Sequence, residues 1–290
     1  LIYILDFIIM GINKKIVVLS GKGGTGKTLI SVNLAAADGN SYYVDCDVEE
    51  PNGHLYFKPQ ILEERTVSVL IPEVNTELCT GCKECVNFCK FNALAFGKKV
   101  ILFKEICHSC GGCALVCPVN AITEIEKTVG LINIGISENV RTVGGIMNTG
   151  EASGIPIIKN ILEYIKDKSG YIFIDCPPGS ACIVMETIKD ADYCILVAEP
   201  TIFGAHNLEM VHQLVELCNK PYGVVLNKCT DGPNPSEDFC KEKNIEIIGR
   251  IPFDSELGEL NSNGKIAVRE NYKNNELFYS LLNKVKEVSR

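Results

Sequence analysis

Eight cysteines fall into two runs of the same spacing. Cys79, Cys82, Cys85 and Cys89 read C-x2-C-x2-C-x3-C, and Cys107, Cys110, Cys113 and Cys117 repeat that pattern 28 positions later. The repeat extends past the cysteines, from Asn92-Ala93-Leu94 to Asn120-Ala121-Ile122. Thiolates are soft ligands that suit iron–sulfur clusters. Zinc is the alternative, but zinc sites usually pair two C-x2-C knuckles around one tetrahedral ion. The denser spacing, present twice, points to two [4Fe–4S] clusters. A second constellation is Gly21-Lys22-Gly23-Gly24-Thr25-Gly26-Lys27-Thr28, a G-x4-G-K-T phosphate loop. Its glycines let backbone N–H groups close around phosphates. Lys27 then reaches the β and γ phosphates, and the Thr28 hydroxyl ligates Mg²⁺.

Both constellations need elements to hold them. The phosphate loop follows a β-branched run, Ile16–Ser20, and opens an apolar helical pattern over Thr28–Asp38 with Gly39 as its stop. Further strands are expected at Tyr42–Asp45, Tyr171–Cys176, Tyr193–Ala198, Gly223–Asn227 and Ile245–Ile251. Helical patterns lie between them at Ile155–Ile165, Asn207–Leu217 and Ser236–Lys243. Alternating strands and helices predict an α/β fold, a mainly parallel sheet covered on both faces, with binding groups at the carboxyl ends of the strands. The cysteine repeat interrupts that alternation. The expected organisation is therefore an N-terminal extension over 1–12, a nucleotide domain in two parts, 13–72 and 127–290, and a small α+β cysteine insert over 73–126.

The insert resembles bacterial-type ferredoxins over its whole length. In two-cluster ferredoxins the fourth cysteine of each run serves the other cluster. The resemblance therefore implies Cys79, Cys82, Cys85 and Cys117 around one cluster, and Cys107, Cys110, Cys113 and Cys89 around the other. One departure is that Lys90 follows Cys89, where proline is usual; Pro118 follows Cys117 as expected. Lys90 either raises a cluster potential slightly or is simply solvated.

Lys22, at the second position of the phosphate loop, marks a deviant Walker A motif. Here the chain resembles the MinD/ParA/Mrp superfamily of P-loop ATPases, which includes the nitrogenase iron protein. The resemblance covers nearly all of the chain outside the insert and the first dozen residues, and implies a P-loop NTPase fold of the SIMIBI type. It also implies hydrolysis of ATP to ADP and phosphate, and an ATP-dependent dimer, with itself or with a related chain. In that dimer Lys22 reaches the partner's nucleotide, neutralising the phosphoryl group as an arginine finger does. Asp47, in Asp45-Cys46-Asp47, matches the carboxylate that positions the attacking water, with Asp45 structural or near the magnesium shell. Asp175 matches the Walker B carboxylate that holds Mg²⁺, and Gly179 the γ-phosphate sensor. Asn227 matches the residue that reads adenine, and Pro252 and Phe253 the loop that packs on the base. Glu199-Pro200-Thr201 resembles a family segment without an assigned role. Cys182 has the spacing from Asp175 of the cluster-ligating cysteine of the nitrogenase iron protein; a packing role is the alternative.

Composition narrows the rest. The chain has 290 residues, 46% hydrophobic and 22% charged, which excludes a disordered chain. Its net charge of -8 gives no general reason to bind nucleic acid or an anionic membrane. The 15 cysteines are an odd number, against complete disulfide pairing, and suggest a reducing, cytoplasmic setting. Residues 1–9 read as an upstream extension before Met10, an added strand or a membrane-contacting tail. Leu277, Phe278, Leu281, Leu282, Val285 and Val288 share one helical face, expected to pack on the sheet rather than on a membrane. Three functions fit: ATP-gated electron transfer to a partner enzyme, iron–sulfur cluster delivery to an acceptor, or a positioning ATPase with a redox-sensing insert.

Overall fold

A computed structural model describes residues 13–290; the expected N-terminal extension lies outside the described residues. In chain order, the first half contains β1 (Asn13–Leu19), α1 (Lys27–Asp38), β2 (Tyr42–Asp45), α2 (Gly53–Phe57), β3 (Gln60–Val74), α3 (Glu84–Phe88), β4 (Leu94–Phe96), β5 (Val100–Leu102), α4 (Gly112–Leu115), β6 (Ile122–Ser137) and β7 (Val140–Met147). The second half contains α5 (Ile155–Ile165), β8 (Gly170–Asp175), α6 (Cys182–Ile188), β9 (Tyr193–Ala198), α7 (Ile202–Leu217), β10 (Tyr222–Cys229), α8 (Pro235–Lys243), β11 (Ile247–Pro252), α9 (Ser255–Ser262), α10 (Ala267–Glu270) and α11 (Tyr272–Val288).

Nine strands among the described residues form one sheet, in the order β11-β10-β9-β1-β8-β2-β7-β6-β3. From β11 to β7 every pairing is parallel; β6 and β3 continue the sheet antiparallel. Alternate residues of each buried strand serve opposite faces. Val17 and Leu19 pack with Ile157 and Ile161 of α5 and with Val211 of α7. Ile16 and Val18 pack with Ile30 and Leu34 of α1 and with Phe278 and Leu282 of α11. The expected terminal helix therefore closes one face of the sheet, with Phe278 and Val285 fully buried. No helix among the described residues is long and apolar enough to cross a membrane.

β3, β6 and β7 are not among the strands expected from the sequence. Charged residues break the alternation on β3, where Glu63, Glu64 and Arg65 blunt an exposed sheet edge. β7 covers β6 only from Ser137 to Gly130, whereas β3 follows β6 to its start at Val74↔Ile122. The free half of this ribbon projects beyond the sheet, and residues 75–121 sit at its tip. The tip has its own core of Cys85, Leu94, Val100, Cys113 and Ile122. The segment expected over 73–126 thus begins and ends on the ribbon itself.

The internal repeat is realised in the backbone of this tip. Left-handed residues recur 28 positions apart: Gly81 (φ 74°) and Ser109 (φ 53°), Lys83 (φ 66°) and Gly111 (φ 71°), Asn92 (φ 55°) and Asn120 (φ 51°). The Ala93 N–H donates to Cys89 Sγ at 3.3 Å, and the Ala121 N–H to Cys117 Sγ at 3.2 Å. The repeated Asn-Ala pair therefore supplies a left-handed turn followed by a donor to the fourth sulfur of each run.

Candidate functional site

The phosphate loop joins β1 to α1 at the carboxyl edge of the parallel strands. Gly24 (φ 77°) and Gly26 (φ 104°) take left-handed conformations that side chains resist. A Cβ on Gly26 would lie 2.2 Å from Asn227 Nδ2. That amide donates to Thr25 O at 2.7 Å and pins the loop to the end of β10. A register shift in β10 between Leu226 and Cys229, with Lys228 at φ 58°, turns Asn227 and Lys228 towards the loop.

Three predicted acidic groups gather behind the loop. Asp45 accepts backbone N–H groups from Asp47 (3.1 Å), Asn52 (3.1 Å) and Gly53 (2.8 Å), which gives it the structural role. Asp175 takes the Tyr43 hydroxyl on Oδ2 at 3.3 Å, while its buried Oδ1 has no hydrogen-bond partner among the described residues. Burial pushes both carboxyls up, Asp45 to about 8, and the Asp175 charge adds to the rise at Asp45. The Thr28 hydroxyl and the Lys27 charge pull Asp175 back in part. A buried carboxylate oxygen without a donor, beside a threonine hydroxyl, fits a hydrated Mg²⁺. Asp47 is half-buried, raised to about 6 by burial and by the Asp175 charge, with Lys27 opposing. Gly179 (φ 102°) donates its N–H to Ser20 O at 3.0 Å, which holds the segment after β8 against the loop. Asn227, Pro252 and Phe253 line one cavity with Gly24, Gly26 and Leu29, so the predicted base-contacting residues do meet. Phe253 is two-thirds exposed at its mouth.

The sequence reading gave no role to Glu199, at the end of β9. Its carboxylate meets Lys22 Nζ at 2.8 Å and Lys228 Nζ at 2.5 Å, and Lys228 also donates to Gly24 O at 2.9 Å. A glutamate at the carboxyl end of an apolar central strand was the available signal.

The eight cysteines divide between two cavities. Cys79, Cys82, Cys85 and Cys117 line one cavity, and Cys89, Cys107, Cys110 and Cys113 line another. In each, the third cysteine of the run is buried and the second exposed. Burial pushes the Cys85 and Cys113 thiols up, Cys113 to about 11, so metal binding there must displace protons. Among the described residues no three His, Cys, Asp or Glu side chains converge on a single ion. Each cavity gathers four thiols, a soft donor set of the type and number that a [4Fe–4S] cluster takes. Lys90 is exposed. Outside the repeat, Cys46, Cys176, Cys194 and Cys240 are buried, while Cys182 is exposed at the start of α6.

The profile of the CobQ/CobB/MinD/ParA nucleotide-binding domain matches residues 16–268. An uncharacterized protein of Methanocaldococcus jannaschii is 33% identical, covering 96% of this chain and 98% of its own. An iron–sulfur cluster carrier protein of the same organism is 25% identical, covering 95% of this chain and 85% of its own. The septum site-determining protein MinD of Pyrococcus horikoshii, solved with Mg-ADP, superposes with a TM-score of 0.62 at 20% identity, over 95% of this chain and 97% of that one.

Proposed function

Because the chain belongs to the CobQ/CobB/MinD/ParA nucleotide-binding family, we propose that it is an ATPase with a deviant Walker A loop. ATP would control its dimerisation, and its ferredoxin-like insert would carry two [4Fe–4S] clusters for ATP-gated electron transfer. The observation that carries this reading is the sorting of eight cysteines into two four-thiol cavities on the same chain as a phosphate loop. Cys79, Cys82, Cys85 and Cys117 would hold one cluster, and Cys107, Cys110, Cys113 and Cys89 the other. When bound, such clusters supply one-electron chemistry.

The chain's own residues do the rest. Backbone N–H groups of Gly21–Gly26 cradle the phosphates, and Lys27 lies on the β and γ oxygens. Thr28 and Asp175 would hold a hydrated Mg²⁺. Asp47 orients water for in-line attack on the γ-phosphorus, the P–O bond to ADP breaks, and phosphate leaves. Gly179 would register the γ-phosphate by turning its N–H from Ser20 O to the phosphate. The Asn227 amide, with Pro252 and Phe253, receives adenine. Lys22 crosses to the nucleotide of a partner subunit.

Replacing Lys22 with alanine should therefore leave ATP binding intact. It should abolish ATP-dependent association and lower kcat by about 10³-fold, as loss of an arginine finger does. Retained turnover and association would rule out a trans role for Lys22. The electron-transfer step is tested by anaerobic redox titration, followed by electron paramagnetic resonance, with and without MgATP. A tenfold bias is about 59 mV for one electron. Unchanged potentials and partner reduction would favour cluster delivery. The likeness to a cluster carrier supports that second reading, which transfer to an apo-acceptor would reveal.

A further inference from the structure

Lys22 is not free. Its ammonium is held in cis by Glu199 at 2.8 Å. The glutamate is only 9% exposed, and its two oxygens divide between two lysines, Oε2 to Lys22 and Oε1 to Lys228 at 2.5 Å. Its main chain cannot shift easily. Glu199 O accepts from the Ser236 hydroxyl at 2.6 Å and from Thr201 N–H at 2.8 Å, and a Cβ on Gly204 would lie 2.2 Å from it. Burial alone would raise this carboxyl, but the two ammonium groups more than offset that and hold it below the usual range.

The lysine end is built differently. The Lys22 main chain is fixed, its carbonyl accepting from the Ser20 hydroxyl at 2.7 Å. Its side chain is 38% exposed. The ammonium can therefore leave without any loop rearrangement. When it leaves, Glu199 keeps one cation, because Lys228 is anchored separately to Gly24 O at 2.9 Å. A buried carboxylate stripped of every partner would be strongly disfavoured. With Lys228 in place, the release is affordable, but it still needs a competing anion.

We propose that Glu199 is a positioning residue that latches Lys22 in cis and lets it go only for a partner subunit's triphosphate, which makes self-association select ATP over ADP. The inference rests on the proposed dimer in which Lys22 acts in trans. A triphosphate offers the ammonium more negative charge than a diphosphate does, and Glu199 sets the threshold between them. Removing the Glu199 charge and removing the Lys228 charge then have opposite effects. Removing the Glu199 charge frees Lys22. Removing the Lys228 charge leaves Glu199 dependent on Lys22 and tightens the latch.

The test is sedimentation of the full chain with MgADP and with a non-hydrolysable MgATP analogue, for wild type, Glu199→Gln and Lys228→Met, with nucleotide affinity measured alongside. For Glu199→Gln, association with MgADP should tighten by about tenfold, shrinking the preference for the ATP analogue. For Lys228→Met, association with the ATP analogue should weaken while ADP affinity is retained. Equal association constants for wild type and Glu199→Gln in both nucleotides would overturn the latch. So would a Glu199→Gln chain that binds nucleotide normally but associates more weakly in both states, since Glu199 would then only shape the loop. Absence of wild-type association with either nucleotide would instead overturn the dimer itself, and the latch with it.

Discussion

Asp45 and Asp175 end neighbouring strands and lie opposite each other in the parallel register of β2 and β8. Both are buried, and Tyr43 and the backbone satisfy only part of their oxygens. Without a cation the pair resists full ionisation, and the pH dependence has a definite sign. Both carboxyls sit above their unfolded values, so their contribution to stability is complete below about pH 4. It is lost as pH rises towards about 8, the value to which Asp45 is pushed. From this pair, the melting temperature of the nucleotide-free protein should fall between about pH 5 and pH 8. MgADP should remove most of that fall, and Asp175→Asn should flatten it without nucleotide. Calorimetric scans across that range decide the matter; an unchanged slope in Asp175→Asn would sink the assignment. Gly26 gives a second test at this scale. At φ 104°, with Asn227 Nδ2 only 2.2 Å from an added Cβ, Gly26→Ala should cost about 1–3 kcal/mol in urea unfolding. It should also weaken nucleotide binding, because the Asn227–Thr25 link must break.

Elements decide which cysteines share a cavity, and sequence adjacency does not. Cys85 and Cys89 flank one turn of α3 yet line different cavities, while Cys85 shares its cavity with Cys117, 32 positions away. Reconstituted chain should hold about eight irons. The double variant Cys85→Ser/Cys117→Ser should keep about four, with one spectroscopically normal cluster, whereas Cys85→Ser/Cys89→Ser should lose nearly all. Equal iron in the two variants would contradict the crossed arrangement. Much of this was legible in the sequence because the repeat is local: residue type, spacing and left-handed turns recur together at 28 positions. The strands around the phosphate loop were legible too, since fully buried strands are short β-branched runs. The β3–β6–β7 extension was not. Its strands face solvent on one side or lie at an edge, so charge interrupts the pattern, and its pairing joins Gln60 to Ile136 across the whole insert. Glu199 escaped for a related reason. Its two lysine partners lie 177 positions before it and 29 after it, and no local pattern links them.

At the scale of the whole molecule, the ribbon sets the cysteine tip beyond the sheet, yet a continuous chain of contacts leads back to the nucleotide edge. Val48, next to Asp47, is buried, and its carbonyl accepts from Met147 N–H at 2.9 Å. A Cβ on Gly154 would strike Val48 at 2.4 Å, so the segment after β7 is packed against the Asp47–Val48 segment without slack. Within that segment Glu151 pairs with Lys127 at 2.8 Å, and Lys127 also donates to Lys104 O of the cysteine tip at 2.9 Å. Both partners of the pair are mostly buried, with side chains 19% and 11% exposed, so solvent screens it less than a surface pair. Contiguity alone does not demonstrate coupling; a change in one site's response to the other does. Lys127→Met keeps every cysteine and every phosphate-loop residue. If movement of the Asp47–Val48 segment reaches the proposed clusters by this route, the variant should bind ATP and assemble its clusters normally. Its MgATP-induced shift in reduction potential should fall to less than half that of wild type. A full shift in Lys127→Met would move the coupling elsewhere, to the proposed dimer interface, where the same titration on Lys22→Ala would find it.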